Sequence, residues 1–402
     1  MYPLQNDPYS PLVARVLHID AVTWGDPKRR FIARYQGKLL HKDSTEAYER
    51  LADVLRPLEV TPMFRLEKGT HVVILIPGVF RPRPSKAWVN LVFFALTVVS
   101  VLVAGTLNTT ETPIPTDLRA LISFFVTHLK EGVPFTISLL AILLAHEFGH
   151  YLVSRFHKTS ASLPYFIPFP FSPFGTMGAV IIQREPHKNK RILLDIGMAG
   201  PLAGFLVSIP ILLLGLSLSK VERLPLVIPA GQGLSMEGNS LLYLLVKYIM
   251  FGQWLPSPAS FSGWSPWLYW VRYFFTGQPT PLGGLDVMIH PIAFAAWAGL
   301  LVTALNLIPA GQLDGGHIMH GLLGERAPVL LPFILGGLGL LGFVWSGWWL
   351  WALLIFFLGR TYAEPLDQIT PLDPKRKILA VLCVILFFLV FTPVPLMMFY
   401  GG

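Results

Sequence analysis

Residues 143–153 read Leu-Leu-Ala-His-Glu-Phe-Gly-His-Tyr-Leu-Val. The spacing puts His146 and His150 one helical turn apart on one face, with Glu147 beside them. A helix of this kind can hold zinc through two imidazoles while the carboxylate activates water. The alternative is a chance match in a 402-residue chain. The surroundings argue against chance. The motif lies inside an apolar run, and ionisable side chains in hydrocarbon are costly enough to need a function. Chemistry on a peptide bond inside the membrane plane would be such a function.

The composition fits a protein that lives in a bilayer. Hydrophobic residues make up 53% and charged residues 13%; soluble domains carry about a quarter charged residues. The net charge of +8 sits in loops that flank apolar runs, which reads as a positive-inside bias. No basic stripe with interleaved aromatics is present, so a nucleic-acid partner is not expected. The single cysteine, Cys383, excludes an intrachain disulfide and a cysteine-ligated metal. The first residues lack the basic start and apolar core of a cleaved signal peptide, and no Ser- and Arg-rich transit segment is seen. The expected location is a multi-pass position in a bacterial plasma membrane.

Residues 1–86 are the only sizeable charged block and read as a small soluble α/β domain of unassigned function. Asp43-Ser-Thr-Glu46 has the form of a capping box, with Leu51, Val54 and Leu55 as the apolar face of the helix it opens. Residues 63–66 and 71–76 read as two strands around a Lys-Gly turn. Residues 87–402 read as an all-α polytopic membrane domain with about seven transmembrane segments. The expected spans are 88–105, 134–155, 192–219, 291–308 and 378–393, with an interfacial segment at 117–130. The apolar stretch 327–358 is broken by Trp-Ser-Gly at 345–347 and reads as a hairpin of two short helices. The hairpin is needed for charge alternation. Arg81, Arg83 and Lys86, then Lys158, Lys188, Lys190 and Arg191, then Lys375, Arg376 and Lys377 all fall on one side only with it. That side is the cytoplasmic one, and it holds the N-terminal domain.

Two histidines do not complete a catalytic zinc site, which takes three protein ligands. Asn306-Leu-Ile-Pro-Ala-Gly-Gln-Leu-Asp-Gly-Gly-His317 follows the fourth span and offers two candidates. Asp314 is one, with a helix N-cap as its structural alternative. His317, one turn on, is the other. The charge-derived orientation brings both half-sites to one depth, near the cytoplasmic end of the bilayer.

Together, His146-Glu-Phe-Gly-His150 and Asn306-x-x-Pro309-x-x-x-Leu313-Asp314-Gly315 resemble the site-2 protease family of intramembrane zinc metalloproteases. Asp195-Ile-Gly-Met-Ala-Gly-Pro-Leu-Ala-Gly204 is similar to a third block of that family. Gly238-Asn-Ser240 and the segment 367–377 resemble the branch with the chloroplast gravitropism-deficient homologues and their bacterial relatives. The likeness covers about 134–320, the expected catalytic core. It implies Zn2+ as cofactor, held by His146, His150 and Asp314. It also implies Glu147 as general base, Asn306 near the scissile carbonyl, and a membrane-spanning protein as substrate. No PDZ insertion is evident, so gating by one is not implied.

Residues 163–183 are apolar yet rich in proline and cannot form a continuous helix. They read either as an aromatic interfacial loop or as a hairpin dipping beside the site. In the second reading, Gly175, Gly178 and Ala179 would bind an unwound substrate by strand addition. Gly200-Pro-Leu-Ala-Gly204 is a small-xxx-small pattern that could seat one helix against another. Two rival functions remain at this stage. A metal or proton transporter would scatter ionisable groups along several spans, whereas here they cluster at one depth. A catalytically silent scaffold would not need Glu147.

Overall fold

The computed structural model describes residues 7–25, 31–81, 86–110, 112, 114–230, 233–261 and 263–401. Arg83, one of the orienting cations, lies outside these residues. About 54% of the described residues are helical.

A short helix α1 (Ser10–Val13) leads into a four-stranded antiparallel sheet in the order β1-β2-β4-β3. The strands are β1 (Leu17–Trp24), β2 (Ala33–Leu39), β3 (Val60–Glu67) and β4 (Thr70–Pro77). The last two match the expected pair; β1 and β2 were not expected. Helix α2 (Ser44–Leu55) starts where the capping box places it, and Asp43 Oδ1 accepts the Thr45 amide at 3.0 Å. Its buried stripe is Ala47, Tyr48, Leu51 and Leu55, packed with Tyr35, Phe64 and Leu75. Val54 is 40% exposed, not buried. On the helical wheel Val54 falls beside Ala47 at the rim of that stripe, on the side away from Tyr48 and Leu55.

Among the described residues, four helical stretches are long and apolar enough to cross a membrane: 87–109, 118–156, 190–217 and 314–342. The first is α3 (Ala87–Thr109). The second joins α4 (Leu118–His128), expected as an interfacial segment, to α5 (Val133–Phe156), which carries His-Glu-x-x-His. The third is α6 (Lys190–Ser217). The fourth runs from α10 (Asp314–Leu323) through a 3-10 turn to α11 (Leu331–Gly342). After Trp345-Ser-Gly347 the backbone turns into α12 (Gly347–Leu358), so 331–358 is a hairpin of two 12-residue helices. Helices α9 (Pro291–Asn306) and α13 (Pro374–Val390) fall just short of that length.

The long connection between α6 and α9 holds more structure than its sequence suggested. It contains α7 (Leu241–Phe251), α8 (Pro266–Thr276), and strands β7 (Lys220–Arg223), β8 (Gly233–Glu237) and β9 (Leu285–Met288). β7 pairs with β9, and β8 with a C-terminal strand β10 (Leu396–Tyr400). Beneath them, Lys247 Nζ lies 3.8 Å from Asp286 Oδ1, and Tyr243 Oη donates to Glu237 Oε1 at 2.9 Å. Burial pushes the Glu237 carboxyl up to about 7. The Gly238 carbonyl accepts the Trp297 indole N–H at 2.8 Å, and Ser240 caps α7.

Helices α5, α6 and α9 pack on one another and form the centre. α3 packs inside-out relative to a soluble helix. Leu91, Leu96 and Val99 are exposed, while Asn90, Thr97, Ser100 and Thr106 are buried. The exposed apolar face suits hydrocarbon, and the polar side serves irregular backbone. Residues 163–180 form a hairpin of β5 (Tyr165–Pro168) and β6 (Thr176–Val180) that rides on this helix. Asn90 Nδ2 donates to the Leu163 and Pro164 carbonyls at 2.8 and 3.0 Å. Ser100 Oγ donates to Gly175 O at 2.6 Å. Non-helical backbone at membrane depth requires such partners.

Candidate metal centre and active site

His146 and His150 lie on α5, and Asp314 opens α10. Among the described residues they form the one group of three metal-ligating side chains. His146 Nε2 is 3.2 Å from Asp314 Oδ2, and His150 Nε2 is 3.3 Å from Asp314 Oδ1. The two Nε2 atoms are 3.3 Å apart. Each imidazole thus meets a different oxygen of one carboxylate, and the ligand atoms all lie within 4.8 Å of one another, close enough to converge on a single ion. His150 Nδ1 lies 2.7 Å from Ile196 O. A proton on Nδ1 satisfies that carbonyl and leaves the Nε2 lone pair facing the centre. The donor set therefore fits zinc in identity, spacing and tautomer.

Asp314 reaches this point because residues 306–314 fold back tightly. A Cβ on Gly315 would lie 2.1 Å from Leu307 O, and one on Gly316 2.2 Å from Gly311 O. The Asp314 carboxylate faces the imidazoles, not the backbone N–H groups of its own helix. Behind the imidazoles stands α6. A Cβ at Gly200 would fall 2.0 Å from His150 Nε2, and one at Gly204 3.2 Å from His146 Cβ. The small-xxx-small pattern thus makes room for the two rings as well as for the helix.

Glu147 and Asn306 line a cavity of about 190 Å³ with the three candidate ligand side chains. Glu147 is 6% exposed and makes no hydrogen bond or ion pair among the described residues. Asn306 Nδ2, at the end of α9, lies 3.3 Å from His146 Nε2. The cavity continues into an apolar groove of about 330 Å³ between β6, α9 and α12, reaching Met177, Leu301 and Trp351. Ala179 borders both spaces, and Gly178 borders the groove. Gly178 has φ +94°, so an L side chain there is strained. Its amide is taken by Thr176 Oγ1 at 3.0 Å. Gly175 borders neither space. It has φ +71°, and a Cβ there would lie 2.5 Å from the backbone of Ser100 and Val101.

The cavity wall also includes Gln183 and Gln312, from the two stretches singled out above, and His187, which had no sequence signal. His187 sits in the basic loop Glu185-Pro-His-Lys-Asn-Lys190, where composition suggests a solvated turn. It is 3% exposed. Burial, with smaller contributions from the nearby His317 and His157 imidazoles, pushes its pKa down to about 3. The ring is therefore neutral at pH 7. His317, the competing ligand candidate, also borders the cavity; its ring centre is 6.3 Å from that of His187.

Residues 134–332 match the model of peptidase family M50. The protein carries a peptidase family M50 domain. Over 340 residues it is 32% identical to the probable zinc metalloprotease EGY1, chloroplastic, of Oryza sativa subsp. japonica, covering 79% of this sequence and 52% of that protein. It is 30% identical over 269 residues to the probable zinc metalloprotease EGY2, chloroplastic, of Arabidopsis thaliana, with 66% and 43% covered. The EGY3 protein of Arabidopsis thaliana, a probable zinc metallopeptidase, is 26% identical over 282 residues, with 67% and 44% covered. The chain spans about half the length of the curated relatives it matches. No solved structure matches.

The matched region contains α5, α6, α9 and α10, and with them every candidate ligand, Glu147 and Asn306. The Asp195 block has a physical role besides resemblance. Arg376 Nε and Nη2 donate to the two Asp195 oxygens at 2.7 and 2.6 Å, and His157 Nε2 lies 2.9 Å from Oδ2. This cluster ties the end of α5 to the starts of α6 and α13.

Proposed function

We propose that this protein is an intramembrane zinc metalloendopeptidase that hydrolyses a peptide bond within or near a transmembrane segment of a protein substrate. One observation carries the reading. Three converging ligand side chains share a cavity with a carboxylate, Glu147, that has no partner among the described residues, and that cavity opens into an apolar groove. Bound zinc would polarise a water and the scissile carbonyl. His146, His150 and Asp314 would hold the ion. Glu147 accepts the proton that the water loses, and burial on α5 keeps its carboxylate beside the site. Asn306 presents an amide N–H₂ to the carbonyl oxygen as charge gathers on it. The relatives, named probable zinc metalloproteases, support this reading. A transporter would scatter ionisable groups along several spans, whereas His146, His150 and Asp314 cluster at one point.

The protein divides near residue 86 into a cytoplasmic sheet domain and a membrane domain. Seven crossings, counting the α11–α12 hairpin as two short ones, keep the basic loops on one side. The direct test is co-reconstitution of the zinc-loaded protein with single-span proteins in liposomes. Cleavage inside the span, lost on chelation and restored by zinc, is the expected result. Cleavage confined to soluble loops would exclude the intramembrane assignment.

The groove points to how an unwound substrate is held. Ile182 uses both backbone groups toward Ser162: its N–H donates to Oγ at 3.0 Å and its C=O accepts the Ser162 N–H at 3.0 Å. By strand alternation the Ile181 N–H points away from that partner, toward the cavity that Ile181 lines. Proline at 181 removes this donor and fixes φ. Ile181→Pro should lower kcat/KM about tenfold or more while zinc content and melting temperature hold, because one backbone hydrogen bond to substrate is lost. Ile181→Val should stay near normal. Equal cleavage by both variants would reduce β6 to scaffold.

Gly200 gives a second check. A methyl group 2.0 Å from His150 Nε2 must displace the ring. Gly200→Ala should weaken zinc binding by about 10–100-fold, the range for disturbed ligand support. Titration of the apo protein with zinc against a competing chelator measures it. Unchanged affinity would mean that α6 does not define the ring position.

A further inference from the structure

A continuous ladder of hydrogen bonds joins the N-terminal sheet to the wall of the catalytic cavity. On one edge of residues 366–368, Phe64 of β3 donates to Leu366 O at 2.8 Å and accepts from Gln368 N–H at 3.1 Å. On the other edge, Leu366 N–H donates to His187 O and Asp367 N–H to Lys188 O, both at 2.8 Å. Residues 366–368 are thus an inserted strand, parallel to Phe64 on one side and to Asn189 on the other. The side chains lock it in place. Asp367 is fully buried; its carboxylate accepts from Ser44 Oγ at 2.6 Å, from Thr370 Oγ1, and from the Ile369 N–H at 2.8 Å. Arg65 of β3 donates to Pro365 O and Leu366 O at 3.1 and 2.9 Å.

The segment held in this way ends in His187. Its ring borders the cavity, yet Nε2 is buried and has no partner among the described residues. His317 Nδ1, on the facing ring, is in the same condition. Buried polar atoms are normally paired, and an unpaired one needs an explanation. A substrate laid along β6 brings backbone C=O and N–H groups into this space.

We infer that His187 hydrogen-bonds the backbone of bound substrate, and that Asp367 is the positioning residue that holds it there from the N-terminal sheet. The inference rests on the proteolytic reading above. It gives the N-terminal domain a part in substrate binding, although no residue of its sheet reaches the metal ligands.

The test uses the full-length protein, zinc-loaded, in detergent micelles, with two probes. Acetohydroxamate engages the metal alone; a tetrapeptidyl hydroxamate with apolar side chains adds a peptide backbone. His187→Leu should weaken the peptidyl probe about tenfold or more, as for loss of one buried hydrogen bond. Acetohydroxamate affinity and zinc content should hold, and His187→Gln should recover most of the loss. Asp367→Ala should act in the same direction. Combined with His187→Leu it should add nothing, because both act through one ring. Ser44→Ala, which removes one bond to the carboxylate, replaces Asp367→Ala if that variant does not fold. Equal weakening of both probes, or of neither, overturns the role of His187. Additive losses overturn the role of Asp367. An unaltered protein that binds neither probe overturns the proteolytic reading, and this inference with it.

Discussion

Glu147→Gln should stop cleavage and leave zinc in place. The carboxylate is one residue from a ligand and borders the same cavity, but it is not among the three side chains whose atoms converge. Glutamine keeps the shape and loses only the capacity to take a proton. General-base groups contribute about 10²–10⁴-fold to rate, so kcat should fall by that factor or below detection. Metal content by atomic absorption and cleavage of a reconstituted single-span substrate are measured on one preparation. A parallel fall in zinc would make Glu147 a ligand or a support for one. Undiminished cleavage would remove it from the chemistry.

The parts of the site visible in the sequence are those written at short range. His146, Glu147 and His150 lie within five residues, and helical geometry alone puts the two rings on one face. Asp314 was visible because glycine and proline around it announce irregular backbone after an apolar span. The break at residues 345–347 was visible because charge alternation failed without it. Nothing local marks His187. Its place in the cavity wall follows from pairing with Leu366, nearly 180 positions away, and no periodicity encodes that partnership. The same limit hid β1 and β2, whose burial pattern is set by neighbours in the sheet.

The glycines divide along the same line. The sequence suggested Gly175, Gly178 and Ala179 as one substrate-binding set. The structure places Gly175 against α3 and turns the Gly178 amide onto Thr176, leaving Ala179 at the cavity. A glycine tells of a positive φ or a close approach but not of what approaches. At Gly175 it is the backbone of α3; at Gly200 it is the imidazole of a ligand. Residues 163–183 form the hairpin that one reading of the sequence offered, and α3 supplies the reason. Its buried Asn90 and Ser100 accommodate carbonyls that a lipid-facing loop could not leave unpaired.

Asp314→Ala should release zinc, and His317→Ala should not. The two were rivals for the third position because they lie one turn apart. Only Asp314 has both oxygens at the two Nε2 atoms, 3.2 and 3.3 Å away. His317 instead turns toward His187, and its Cβ packs over Gly197 of α6. Removing Asp314 leaves two imidazoles and no anionic ligand, so affinity should fall by more than the roughly 100-fold that disturbed ligand support costs. His146→Ala and His150→Ala should do the same. His317→Ala should keep zinc within a few-fold of the unaltered protein, since it removes no converging atom. Competition titration of purified apo protein reads all four on one scale. If His317→Ala empties the site while Asp314→Ala retains its zinc, the ligand set is His146, His150 and His317. The carboxylate would then be a partner of the imidazoles and no longer a ligand of the metal.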